Sequence, residues 1–171
     1  MDQDAQTVHR AKQQAYRLLA YRSQTSSELG DRLQRRGYTA PIIDEVLRQL
    51  ALDGYIDDRK VALDWARYRL QAKPLGRRRL AWELQKRGVS SELLQEILHA
   101  VYSEFDEARL AEQAARKRVS SKELPRSPRE RQRYARYLFN LGFDTDTVVA
   151  ALATIFASTA TLDIVSDDVL C

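Results

Sequence analysis

The sequence predicts an all-α protein of three tandem three-helix repeats forming an elongated, curved, solenoid-like molecule. Apolar residues recur every three to four positions along most of the 171 residues, and helix start and stop signals interrupt them at short intervals. One pattern also returns twice: Leu33-Gln34-Arg35-Arg36-Gly37 aligns with Leu84-Gln85-Lys86-Arg87-Gly88 and with Leu138-Phe139-Asn140-Leu141-Gly142, at offsets of 51 and 54 residues. Six positions past each glycine stand Ile43, Leu94 and Val148, ten past stand Leu47, Leu98 and Leu152, and thirteen past stand Leu50, Val101 and Ile155. A shared glycine with three shared apolar positions marks an internal repeat. The expected repeats are residues 9–54, 55–103 and 104–157, followed by a flexible acidic tail at 158–171.

Each element has its own local signals. Residues 1–8 are polar and expected to fray. A first helix over 9–22 turns Ala15, Leu18, Leu19 and Tyr16 inward. Thr25-Ser26-Ser27-Glu28 is a capping box, in which the threonine oxygen and the glutamate each satisfy a backbone N–H at the start of a second helix through Leu29 and Leu33 to Gly37. Pro41 suits only a first turn, so a third helix begins near Ala40, carries Ile43, Val46, Leu47 and Leu50 inward, and ends near Gly54.

In the second repeat Asp57 and Asp58 place negative charge at the positive end of a helix whose inner stripe is Ala62, Trp65, Ala66 and Leu70. Neighbouring helical aspartates point about 100° apart, which favours capping over a metal site. In the third repeat Ala108, Leu110, Ala111, Ala114 and Ala115 make a small-residue stripe, and a polar link over 119–125 follows. Ser127-Pro128-Arg129-Glu130 then combines an N-cap, an N1 proline and an N3 glutamate ahead of an arginine-rich helix with Tyr134 and Tyr137. Beyond Phe156 the amphipathic pattern stops.

Composition narrows the function. With 44% hydrophobic residues the chain is globular rather than disordered. Its net charge of +4 is unevenly spread: ten Lys and Arg against four acids fall in residues 54–89, and five acids with no base fall in 144–171. No apolar run approaches the roughly 18 residues a membrane span needs, and the one cysteine, Cys171, cannot form an internal disulfide, so a cytoplasmic protein without membrane contact is expected. His9 and His99 have no ligand or catalytic partner at useful spacing, and there is no glycine-rich phosphate loop or hydrolase signature. The expectation is a protein without catalysis, metal or cofactor.

The basic segment centres on residues 74–89. Pro74 and Gly76 break the preceding helix, and Leu80, Ala81 and Leu84 line one side of the next, while Arg78, Arg79, Trp82 and Lys86 share the opposite arc. Guanidinium forks match phosphate oxygens, and an indole offers a flat stacking surface; an ordinary solvated helix face is the plainer explanation. The candidate binding residues here are Arg77, Arg78, Arg79, Lys86 and Arg87, with Arg67, Arg69 and Lys73 from the preceding helix and Arg129, Arg133 and Arg136 from the third repeat. Arg77 projects near the apolar side and is the one most open to a structural role. Trp82 is either a stacking surface or a wedge between repeats.

Two non-enzymatic readings accommodate these features. In one, helices joined through Gly37 or Gly88 form a DNA-reading helix-turn-helix of a transcription factor, although Ser90-Ser91-Glu92 offers no base-reading side chain. In the other, stacked helices lay a charged edge along a polymer without base-specific contacts.

At this point the chain resembles a known family. Gly54-Tyr55-Ile56-Asp57-Asp58, followed by Gly76, Leu80, Glu83-Leu84, Lys86 and Gly88-Val89, is similar to the central signature of the RecX regulatory proteins. Ser27-Glu28-Leu29 with Leu33, and Arg136-Tyr137-Leu138 through Gly142-Phe143, are similar too. Val61 departs from the aromatic residue usual after the aspartate pair, which shifts packing toward Trp65. The resemblance spans about residues 10–157. It implies a regulator that lies in the groove of the RecA recombinase filament on single- or double-stranded DNA and restrains strand exchange and ATP turnover, in DNA repair and the SOS response. A monomer is expected.

Overall fold

The computed structural model describes residues 2–120 and 128–166, and among them it contains helices and no strand. The helices are α1 (Asp2–Tyr21), α2 (Ser26–Gln34), α3 (Ala40–Leu52), α4 (Asp58–Ala72), α5 (Arg77–Gln85), α6 (Ser91–Glu104), α7 (Glu107–Ser120), α8 (Pro128–Asn140) and α9 (Thr145–Ser166). Their order follows the expected grammar, with two differences. No glycine or proline interrupts residues 2–8, and α1 starts at Asp2 where fraying was expected. Likewise no breaker follows Gly142, so α9 continues to Ser166 through much of the stretch expected as a tail: amphipathicity ends near Phe156, but helical propensity does not. Residues 167–171 of that tail and the N-cap role expected of Ser127 lie outside the described residues.

The recurring glycines end α2, α5 and α8 in the same way. Gly37, Gly88 and Gly142 have φ of 87°, 75° and 90°, a conformation costly for any residue with a Cβ. Each forms a Schellman closure. Gly37 N–H donates to the Gln34 carbonyl at 2.9 Å and Tyr38 N–H to that of Leu33 at 3.3 Å; Gly88 and Val89 bond Gln85 and Leu84, and Gly142 and Phe143 bond Phe139 and Leu138, at the same distances. The apolar positions six and thirteen past the glycines are buried in all three copies. Of those ten past, Leu98 is buried and Leu47 and Leu152 are half-buried.

The chain divides into two compact units, Met1–Ala66 with Glu83–Ile97, and Arg67–Trp82 with Leu98–Cys171. In the first, α1, α2 and α3 pack together around Ala11, Ala15, Leu18, Leu29, Leu33, Ile43, Val46, Leu50 and Ile56. Each large side chain so buried contributes about 1.5–3 kcal/mol. In the second, α7, α8 and α9 pack together, and Leu110, Ala111, Ala114, Ala115, Leu138, Phe143, Val148 and Ile155 are buried. Ala108, expected in that inner stripe, is exposed because it sits in the first turn, ahead of the buried stripe that starts at Leu110.

Inside each unit the start of a middle helix is seated on a later glycine turn. In the first unit the hydroxyl of Thr25 donates to the Arg87 carbonyl at 2.6 Å, and Ser26 N–H donates to the Asp58 carboxylate at 2.6 Å. A Cβ at Gly88 would lie 2.1 Å from Ser27. In the second unit, at the positions 51 residues on, Gly76 N–H donates to the Leu141 carbonyl at 2.9 Å and Arg77 N–H to the Glu107 carboxylate at 2.8 Å. A Cβ at Gly142 would lie 2.3 Å from the Arg79 nitrogen. Asp58 and Glu107 are each the first residue of the helix that follows, α4 and α7. Each acid thus neutralises an N–H that a helix start leaves unpaired.

These seats separate two costs of replacing glycine. Gly37→Ala, with open space around it, should lose about 1 kcal/mol through backbone strain alone. Gly142→Ala adds a backbone collision and should lose about 3 kcal/mol or more. Urea unfolding of the two variants measures the difference, and equal losses would show that the seat at Gly142 does not form.

Candidate functional site

The cations singled out from the sequence fall into groups with different surroundings. In the first unit Glu28 is the hub. It accepts from Thr25 N–H at 3.3 Å within the capping box, from Arg22 at 3.3 Å and from Arg87 at 3.2 Å. The Arg87 guanidinium also lies 4.9 Å from the centre of the Trp65 ring. Burial lowers the pKa of Arg87, an effect that Glu28 opposes and Arg22 reinforces, yet an arginine keeps its charge at any working pH. Its Nε is buried without a hydrogen-bond partner. Arg87 is therefore built into the fold, whereas Lys86 beside it is exposed.

Arg77 has a comparable place in the second unit. Its Nε donates to Glu107 at 2.8 Å, alongside the backbone bond to the same carboxylate, and its guanidinium lies 4.6 Å over the Tyr102 ring. The buried Tyr102 hydroxyl donates to the Leu75 carbonyl at 2.9 Å, and desolvation raises its pKa. The structural role open to Arg77 on sequence grounds matches this geometry. Arg67 makes a two-pronged pair with Glu104, at 2.8 and 2.5 Å, and Arg69 is half-buried.

Of the other cations singled out in this unit, Arg78, Arg79 and Lys73, and on α8 Arg129, Arg133 and Arg136, are exposed, as is Arg77 itself. Arg79 and Trp82 form a local stack, the guanidinium 4.5 Å from the ring centre, with Trp82 44% exposed. Beneath them Leu80 and Leu84 are fully buried, so the arc of Arg78, Arg79 and Trp82 faces outward as the helical spacing requires. Arg129, Arg133 and Arg136 stand at i, i+4 and i+7, one face of α8. Composition alone did not single out α7, where Arg109, Arg116 and Lys117 with Glu112 and Gln113 line an open recess of about 570 Å³. Spacing of i, i+7 and i+8 was the available signal. Chemically, these groups offer charged forks and an aromatic face to an anionic polymer or an acidic protein surface. Among the described residues no group of three His, Cys, Asp or Glu is arranged to hold a metal ion.

Residues 11–50 match the model of the RecX first three-helix domain, and residues 57–98 that of the RecX second three-helix domain. The chain is 33% identical over 139 residues to the regulatory protein RecX of Pelodictyon phaeoclathratiforme, covering 81% of this chain and 84% of the relative. It is 37% identical over 139 residues to that of Halorhodospira halophila, with the same coverage. The crystal structure of RecX from Lactobacillus salivarius superposes with a TM-score of 0.80 at 17% identity, covering 92% of this chain and 99% of that one.

Burial sorts the arginines by what their loss should do to stability. Arg87→Ala leaves Glu28 short of a partner in a half-buried setting and should cost about 2 kcal/mol, whereas Arg78→Ala should stay within about 0.5 kcal/mol, both read by urea denaturation. A pH effect comes from Asp144, whose pKa is lowered chiefly by the Thr147 N–H that donates to it at 2.8 Å, with smaller help from Arg77 and Arg78. A depressed carboxyl stabilises fully above its unfolded value near 3.9, and the contribution is lost as pH falls through the lower folded value. Asp144→Asn should therefore flatten the loss of stability below about pH 4 in an acid titration followed by circular dichroism.

Proposed function

Because the chain belongs to the RecX family of regulatory proteins, we propose that it binds the RecA filament on DNA and restrains strand exchange and ATP turnover, with no catalysis of its own. The observation that carries this is the outward arc of Arg78, Arg79 and the exposed Trp82 on a helix whose Leu80 and Leu84 are fully buried and whose Ala81 is half-buried. A rigid helix holds the charged forks in place before binding, so little side-chain order is lost when they meet phosphate or carboxylate oxygens. The arginine face of α8 adds charge of the same sign. Partner, DNA and restraint come from the family resemblance; the arc supplies a surface chemically suited to them.

A sequence-reading transcription factor fits less well. The helices that follow the glycine turns open with Ala40-Pro41, Ser91-Glu92 and Thr145-Asp146, none of which offers the Arg, Asn or Gln forks that read base edges. Binding to DNA should accordingly weaken steeply with salt, while equal-length sequences bind within about tenfold of one another. A palindrome preferred by about 10³ in a competition assay would favour the sequence reader.

Replacing Arg78, Arg79 and Lys86 together by alanine tests the proposal directly. The change leaves the buried leucines untouched and keeps the Arg79 Cβ that lies against Gly142, so the thermal midpoint should hold. Loss of about three ionic contacts should raise the concentration needed to slow RecA ATP hydrolysis by about tenfold or more. Arg35→Ala, at the equivalent face of the first repeat, is the control and should change little. If the triple variant restrained RecA as well as the parent at about 0.15 M salt, this arc would not be the regulatory surface.

A further inference from the structure

The first unit carries an open trough of about 310 Å³ between α2 and α3. Its α2 wall runs from Ser26 to Gln34, and its α3 wall includes Ile43, Asp44 and Leu47. Gly30, in the middle of α2, gives the trough its width. The φ of Gly30 is not positive, and an added Cβ would lie 3.6 Å from Ile43 and from Leu47, which is ordinary van der Waals contact. Neither backbone nor packing therefore requires glycine at this position, and glycine weakens a helix of only nine residues. At the equivalent positions of the other two repeats, seven before the turn glycine, stand Ala81 and Ala135. The methyl group that the other repeats carry is missing here, and its absence opens the trough beside Ile43 and Leu47.

The charged walls are Asp31 and Asp44, one on each helix. Both are exposed, and among the described residues neither carboxylate takes part in an ion pair or a side-chain hydrogen bond. The arginines near them are turned elsewhere: Arg48 is held by Glu45 at 2.8 Å, and Arg36 donates back to the Arg32 carbonyl at 3.1 Å. Where the second repeat has Arg78 and Trp82, the first has Ser27 and Asp31. A face that is cationic in one repeat is thus acidic over an apolar floor in the other, which suits a positively charged protein segment and repels a nucleic acid. Dimensions choose the form of that segment. At about 1.5 Å per residue the α2 wall is about 12 Å long, close to the roughly 10.5 Å between positions i and i+7 of a helix. Apolar side chains at i, i+4 and i+7 would lie along Ile43 and Leu47, and cations on the flanks would meet the two carboxylates. In a second copy of this chain the apolar stripes of the arginine-rich helices α5 and α8 are buried at Leu80, Leu84, Tyr134 and Leu138, so the occupant is a different protein. We propose that the trough docks an amphipathic helix of a partner protein, its apolar stripe flanked by lysine or arginine. The inference does not depend on the cationic arc or on what that arc binds.

The test titrates the ¹⁵N-labelled full chain with an acetylated and amidated peptide of about 14 residues, built from alanine, leucine and lysine with leucines at i, i+4 and i+7 and lysines on the flanks. The controls are the same peptide with glutamate in place of lysine and a scrambled peptide of the same composition. The lysine peptide should shift the backbone amides of Gly30, Asp31, Asp44 and Leu47 saturably, about fivefold or more tighter than either control. Replacing Asp31 and Asp44 together by asparagine should weaken its binding about fivefold while leaving the thermal midpoint in place. Gly30→Ala should raise the thermal midpoint by about 2–4 °C and yet weaken binding about threefold, a pair of opposite changes that a glycine of purely structural value would not give. Gly30→Leu should abolish binding, and Gly30→Ala keeps the test open if the larger side chain disturbs the fold. Equal binding of either control peptide, binding unaffected by Gly30→Ala and by the double asparagine variant, or no saturable shift at about 1 mM peptide would overturn the proposal. So would a dimer in sedimentation that Gly30→Leu dissociates, since the occupant would then be a second copy.

Discussion

The seating of a helix start on a glycine turn is the contact on which the rest of this structure depends. α2 and α5 are nine residues each, too short to be stable alone, and each begins with N–H groups that have no partner within the helix. In each unit an acid two helices further on takes the first N–H of the short helix, and the carbonyl ahead of a later turn glycine takes the cap residue, through the Thr25 hydroxyl in one case and the Gly76 N–H in the other. Gly88 and Gly142 consequently have two reasons to be glycine, the left-handed stop and the space they leave for a neighbouring backbone. Gly37 has only the first.

The seats also decide how the basic charge is divided. Arg87 and Arg77 lie beside them and are held by Glu28 and Glu107, each with an aromatic ring under the guanidinium. Pairs of this kind, whose carboxylates are largely buried, position the chain but offer little to an outside ligand, because breaking them leaves a desolvated carboxylate behind. The residues turned one or two positions further round, Arg78, Arg79 and Lys86, keep the exposure that an anionic partner requires. A cluster that looks uniform in composition is thus split by helical rotation into fold-forming and outward-facing halves.

This division explains what was legible in the sequence and what was not. The glycine stops, the Thr25–Glu28 box and the Pro41 start are local, so their chemistry can be read within a few residues. The helical fold follows from them, and the family resemblance from the run Gly54-Tyr55-Ile56-Asp57-Asp58 and the motif residues Gly76 to Val89. By contrast, Arg87 and Lys86 are neighbours of the same charge, and only the distant Glu28 and Trp65 separate them. The cap that Asp58 gives Ser26 spans 32 residues, whereas local spacing places both aspartates at the start of their own helix alone. In fact the pair is shared out: Asp57 caps α4 through Lys60 N–H, and Asp58 caps α2. The length of α9 is not legible from amphipathicity, which ends near Phe156, although no stop signal stands there.

The two seats reach one geometry with different side chains. Where the first unit uses a threonine hydroxyl to reach the turn carbonyl, the second uses the backbone N–H of Gly76; where the first caps with aspartate, the second caps with glutamate. Backbone groups, the turn glycine and a single acid at a helix start are the common elements, and each tolerates wide change around it. A repeat held together in this way can lose most of its side-chain identity while keeping its helix arrangement, provided that the glycine and one acceptor survive. The bonds that make the two seats come from backbone groups, Thr25, Asp58 and Glu107, while Arg78, Arg79 and Lys86 are exposed.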